Sequence, residues 1–261
     1  MTLDNSCNKY LNRNTITQGA TPLDNLYNIY ISISMCFSEN MSLTIGVIGI
    51  LSSLYFFNKN KYASIGIGYF AIMEILQYFQ YKVIDQCSNN YNKFLTNLGY
   101  IHICFQPLFF NLWLFAFTKK PNFTFIYMSF FAGLLLVSRI FFVEDHELCD
   151  YNNEPLCGKT TCTYSGIKHL LWNIRLRAPG KYWFTPSIGL HFFMWVIPVL
   201  TIYQLKPFLA MLFTMPYIAF FLTLYNIKRE KNDITRLQTE GAAIWCYTAI
   251  AQFLVTYLII K

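Results

Sequence analysis

Residues 123–143 read FTFIYMSFFAGLLLVSRIFFV, with a single charge, Arg139, near the end. As a helix rising about 1.5 Å per residue, this run is about 30 Å long, the thickness of a bilayer's hydrocarbon core. Six runs of the same character accompany it, at 41–57, 62–81, 94–117, 182–203, 207–227 and 241–260. Apart from Arg139, only Glu74 brings a charge into any of them. The expected fold is therefore all-α, a polytopic membrane bundle of seven transmembrane helices over 35–261, preceded by a polar tail over 1–34.

Composition points the same way. Of 261 residues, 55% are hydrophobic and 13% charged. Soluble domains carry about 25% charged residues, so an ordinary water-soluble domain and a disordered chain are both excluded. The net charge of +7 comes from Lys and Arg set between the apolar runs. No basic face or nucleic-acid motif accompanies it, so the expected partner is the lipid bilayer and not nucleic acid.

Between the fourth and fifth runs lies a long connection, 144–181. Within it, 166–177 is expected to be an interfacial helix. Ile167, Leu170, Leu171 and Ile174 form an apolar stripe, Trp172 an anchor, and Lys168, Arg175 and Arg177 the wet face. Arg139 is expected to snorkel, with capping of a polar cavity as the alternative.

Four loop cysteines fall on one side of a seven-span bundle: Cys87 after the second run, and Cys149, Cys157 and Cys162 after the fourth. They are disulfide candidates with three possible pairings. Disulfides belong to a non-cytosolic face, which favours an N-terminus outside. A cytosolic zinc site is the rival, although the spacing lacks a CxxC pair.

Ionisable groups inside a membrane are costly, so each is a candidate site. Glu74 and Gln77 share one helix face, His102 and Gln106 another; His191 and Gln252 lie in later runs. Counting from the run ends places Glu74, His102 and His191 each about 12 Å deep at 1.5 Å per residue. Three readings stand. The cluster binds or transports an ion or small polar ligand through Glu74, Gln77, His102, Gln106, His191 and Gln252. Alternatively His102, His191 and Glu74 hold a divalent metal, or the histidines a haem, in an enzyme acting on a hydrophobic substrate. In the third, the groups only fix helix packing. Whether the chain is an enzyme stays open. The last run has no internal Lys for a retinal Schiff base, and HExxH, GxSxG and P-loop patterns are absent.

Met35-Cys36-Phe37-Ser38, followed by Ser42, leads into the first run, and Glu74-x-x-Gln77 lies in the second. These residues resemble an uncharacterised family of multi-pass membrane proteins whose first span opens with Met-Cys-Phe-Ser-x-x-x-Ser. The resemblance implies a membrane architecture and weight on Glu74 and Gln77. It implies no reaction.

Overall fold

The computed structural model describes residues 39–118, 123–149, 154, 156–166, 169–201 and 257–258. Helix α1 spans Glu39–Phe57 and α2 spans Lys61–Lys82. Asn60 makes the turn between them. Its backbone is extended, and its Oδ1 accepts the N–H groups of Tyr62 and Ala63 at 3.1 Å. Two of the orphan donors that open a helix are thereby satisfied. The returning α2 brings Lys82 to Glu39, so α1 and α2 are antiparallel.

Small residues let this pair approach closely. Ser42, Gly46 and Gly49 lie buried on α1. A Cβ added at Gly46 would stand 2.5 Å from Ile75 Cδ1, so a larger residue there would force the Ile75 side chain to move. Lower down, Ser53 and Ser64 each donate a hydroxyl to the other's carbonyl at 2.8 Å.

Helix α3 spans Asn90–Leu114, starts on the Asn89 side-chain cap, and contains Pro107. Helix α4 spans Phe123–Val137 and tightens into a 3-10 turn over Ser138–Ile140. Helix α5, Gly189–Thr201, packs against α3 and α4.

Between α4 and α5 the chain builds a cap. Strands β1 (Cys162–Ser165) and β2 (Leu170–Asn173) pair antiparallel, with Thr163 opposite Trp172. Disulfide Cys87–Cys162 ties the hairpin to the α2–α3 turn, and Cys149–Cys157 closes a shorter loop. Asn92 of α3 accepts the Thr163 N–H at 2.9 Å and donates to the Thr163 carbonyl at 3.1 Å. Trp172 Nε1–H donates to Gln80 Oε1 of α2 at 3.1 Å. The hairpin thus sits on the cap-side ends of α2 and α3. One apolar core lies beneath it, around Tyr100, Leu136, Trp172 and Ile174. A second lies at the far end, around Phe70, Phe110, Trp113 and Trp195.

These helices carry large apolar side chains on the outside and polar ones within. Leu51, Leu54, Tyr127 and Phe131 point outward, each more than 60% exposed. Glu74, Gln77, Gln80, Asn92, Thr96, His102, Gln106 and Asn111 are all buried.

The structure corrects the expected all-α seven-span bundle. Five α-helices and an antiparallel sheet stand among the described residues. Two helical segments, Glu39–Phe57 and Phe123–Ile140, are long and apolar enough to cross a membrane. Helices α2 and α3 fall short because Lys, Asn, Gln, Glu and His dilute them. The runs at 207–227 and 241–260 lie outside the described residues.

The expected interfacial helix at 166–177 is also corrected, since β2 occupies its centre. Its apolar spacing suits a helix, but a short strand buried on both faces carries the same residues. Leu170, Leu171 and Trp172 are all buried. Arg139 does not snorkel; it is fully buried and paired with a carboxylate.

Candidate functional site

Helix α2 carries Glu74, Gln77 and Gln80 at steps of three, which places them along one face. All three are buried. Gln80 is spent on structure: its Nε2 donates to the Leu95 carbonyl at 2.9 Å, and its Oε1 accepts from Trp172. Glu74 is different. It is 1% exposed, and its Oε2 has no hydrogen-bond partner among the described residues. Ser42 of α1 approaches the Glu74 carboxyl, and its own hydroxyl is fully buried. No cationic side chain pairs with Glu74 among the described residues; the ion pairs there join other groups.

His102 is held in a clasp between α2 and α3. Its Nε2–H donates to the Tyr69 carbonyl at 2.8 Å, and the Tyr69 hydroxyl donates to the His102 carbonyl at 2.7 Å. The two rings stack at 4.0 Å. A carbonyl acceptor fixes the tautomer, so the Nδ1 lone pair faces inward and has no partner among the described residues.

His191 meets the same stretch of α3 from α5. Pro107 has no N–H to give the carbonyl four residues back, which is that of Ile103. The His191 ring hydrogen-bonds this Ile103 carbonyl. One turn on, Asn111 Nδ2 donates to the carbonyls of Pro107 at 2.8 Å and Met194 at 2.9 Å. The carbonyl orphaned by the proline is therefore met by the His191 ring.

These contacts refine the shared depth. His102 and His191 meet α3 at neighbouring residues and do share a level. Tyr69, the α2 partner of His102, lies five residues from Glu74, about 7 Å along the helix at 1.5 Å per residue. Glu74 thus sits roughly one turn nearer the cap. Gln106 is buried on α3, four residues after His102, and Gln252 lies outside the described residues.

Among the described residues, one set of three His, Cys, Asp or Glu donors lies within 4.8 Å of one another: Cys149, Glu154 and Cys157. Its two sulfurs are joined in a disulfide. Its carboxylate accepts from Arg139 Nη1 and Nη2 and from the Ile188 N–H. Glu74, His102 and His191 form no such gathering. The four loop cysteines are paired as Cys87–Cys162 and Cys149–Cys157, one of the three pairings open to the sequence.

The cap holds its charges by pairing. Arg139 Nε donates to the Arg177 carbonyl at 2.9 Å, and Arg177 Nε donates to Glu147 Oε2 at 2.9 Å. The hydroxyl of Tyr182 donates to Glu147 Oε1 at 2.5 Å. These two donors, Tyr182 foremost, hold the Glu147 carboxyl down to about 2. Burial pushes His169 down to about 3, so it is neutral near pH 7.

Tyr69, Gln80 and Asn92 were not singled out by sequence, and Ser42 only as the last residue of the family motif. Ser42 sits four residues before Gly46 on the small-residue face, which was a usable signal. The His191 role had one as well, because an internal proline always orphans a carbonyl one turn back.

Residues 40–260 match a family of unknown function (DUF5765), and the chain belongs to that family. The matched region starts after Met35–Ser38, which lies outside the described residues. No curated protein and no solved structure matches the chain.

Proposed function

We propose that this chain is a membrane-embedded protein that takes up a proton or a small cation at Glu74. The observation that carries the reading is the Glu74 carboxyl itself, 1% exposed with Oε2 unpartnered among the described residues. A buried carboxylate is not stable alone. It needs a proton, a cation or several donors. Ser42 supplies a hydroxyl beside it, and Gln77 lies one turn further along the same face.

Membrane embedding is supported by the two long apolar helical segments and by the large apolar side chains exposed on the helices. A bilayer removes the cost of exposing Leu51, Leu54 and Phe131, whereas water would impose it. The disulfides favour a non-cytosolic compartment for the cap. Because Glu39 pairs with Lys82, α1 starts on that same side. Lys59 and Lys61 fall at the opposite end, as the positive-inside rule asks.

His102 and His191 serve the site indirectly. They tie α2 and α5 to α3 and so hold the helices around Glu74.

The test is uptake into proteoliposomes, with an interior pH dye and with sodium or potassium gradients. Wild type should show proton or cation movement or binding, and Glu74→Gln should lose it while retaining its elution profile and helix content. Equal signals from wild type and a folded Glu74→Gln protein would end the proposal.

A further inference from the structure

Two loops of the cap expose large aromatic rings beside the helix ends. Phe142, two residues after the apolar segment Phe123–Ile140, is 92% exposed. Trp183, six residues before α5, is 94% exposed. Such exposure of a Trp and a Phe has a cost in water. The chain nevertheless holds both loops firmly.

Arg177 is the hub. Its Nη2 donates to the carbonyls of Phe141 at 3.2 Å and Phe142 at 2.9 Å. Its guanidinium lies 5.3 Å from the Tyr182 ring centre. Glu147 bridges the two sides, accepting from Arg177 Nε and from the Tyr182 hydroxyl. Phe142 also has φ 50°, a left-handed conformation that a bulky residue adopts at a cost. One charged network thus fixes two loops side by side and leaves the Phe142 and Trp183 rings outside.

We infer that Phe142 and Trp183 form a paired aromatic foot that seats in the membrane interface on the cap side. Three observations select lipid as the occupant. Phe141 and Phe142 continue directly from an apolar helical segment, and Trp183 enters α5, so both rings lie where helices leave the bilayer. Trp183, an apolar ring with one polar N–H edge, is the residue type that settles at this depth, and the wholly apolar Phe142 ring is relieved of water there. The adjoining polar groups, Glu144, Asp145 and Lys181, are all exposed on the same loops, as a headgroup layer requires. Because Glu144 and Asp145 flank Phe142, the seating does not depend on anionic lipid.

The inference rests on the membrane reading above, so the experiment separates the two. Protein is reconstituted in phosphatidylcholine vesicles carrying a quencher near the headgroup or at mid-chain. The Trp183 signal is the difference between wild type and Trp183→Phe, which cancels the other tryptophans. A second variant, Phe131→Trp, reports the outward face of α4. The near-headgroup quencher should cut the Trp183 component by about half or more, with aqueous iodide removing less than about a fifth, as expected of an interfacial ring. The mid-chain quencher should reach Phe131→Trp. Lipid quenching of Phe131→Trp with Trp183 open only to iodide would overturn the foot and leave the membrane reading standing, pointing to a protein partner for that surface. Loss of lipid quenching at both positions would overturn both.

Discussion

The helical layer and the cap handle buried polarity in opposite ways. In the helices, buried polar groups are mostly neutral and bond to backbone carbonyls: Tyr69 with His102, Asn111 with Pro107 and Met194, Gln80 with Leu95. In the cap, buried charges pair with charges: Arg139 with Glu154, and Arg177 with Glu147. Glu74 is the exception within the helices, a carboxyl with no cationic neighbour among the described residues. A cap charge already has its partner, so its removal should cost stability. A helix charge without one is available to a proton or an ion.

Breaking the cap should give the largest effect. Arg139→Ala strands the Glu154 carboxylate in a buried place, and losing one partner of such a pair costs about 3–5 kcal/mol. Thermal unfolding in detergent should show it, and a shift equal to that of an exposed Lys159→Ala change would contradict it.

The two disulfides sharpen the comparison. Cys87–Cys162 spans 75 residues and joins cap to helices, whereas Cys149–Cys157 spans 8 within the cap. Replacing the first pair by Ser should cost about 2–4 kcal/mol and more than replacing the second, because the longer loop restrains more of the unfolded chain. Equal losses in denaturant titrations would argue against that ordering.

Within the helices the effect should be smaller. Tyr69→Phe removes one hydroxyl from the clasp and should cost about 1 kcal/mol, the ordinary worth of a hydrogen bond. A cost matching Arg139→Ala would mean that the two regions do not differ as described.

Acid should act on the cap. His169 is held near 3 against an ordinary 6.5, so the unfolded chain binds more protons between those values. Its contribution is complete above pH 6.5 and is lost as pH falls towards 3. Glu147, held near 2 against an ordinary 4.5, adds a loss in the same direction over its own lower window. Stability measured against pH should therefore decline from pH 6.5 downward, and His169→Gln should flatten the upper part of that decline. An unchanged slope in the variant would refute the assignment.

Several of these features were legible in the sequence. The apolar character of 123–143 and the placing of Glu74 and Gln77 on one face follow from periodicity alone. The hairpin was hidden because Leu170, Leu171 and Ile174 keep a helical spacing, and long-range contacts with Gln80 and Asn92 decide otherwise. The partner of Arg139 was hidden because no periodic pattern in the sequence marks Glu154. Equal depths for three ionisable residues were read from run ends, and helix packing shifted Glu74 by a turn relative to the histidines.

The proposed uptake of a proton or cation by Glu74 inside the helices leaves a spectroscopic mark on its carboxyl. It is tested most directly by infrared difference spectroscopy of the protein in lipid, titrated with acid and with sodium or potassium, wild type beside Glu74→Gln. A carboxyl band should change on titration in wild type and be missing from the variant. Identical difference spectra from the two proteins would contradict it.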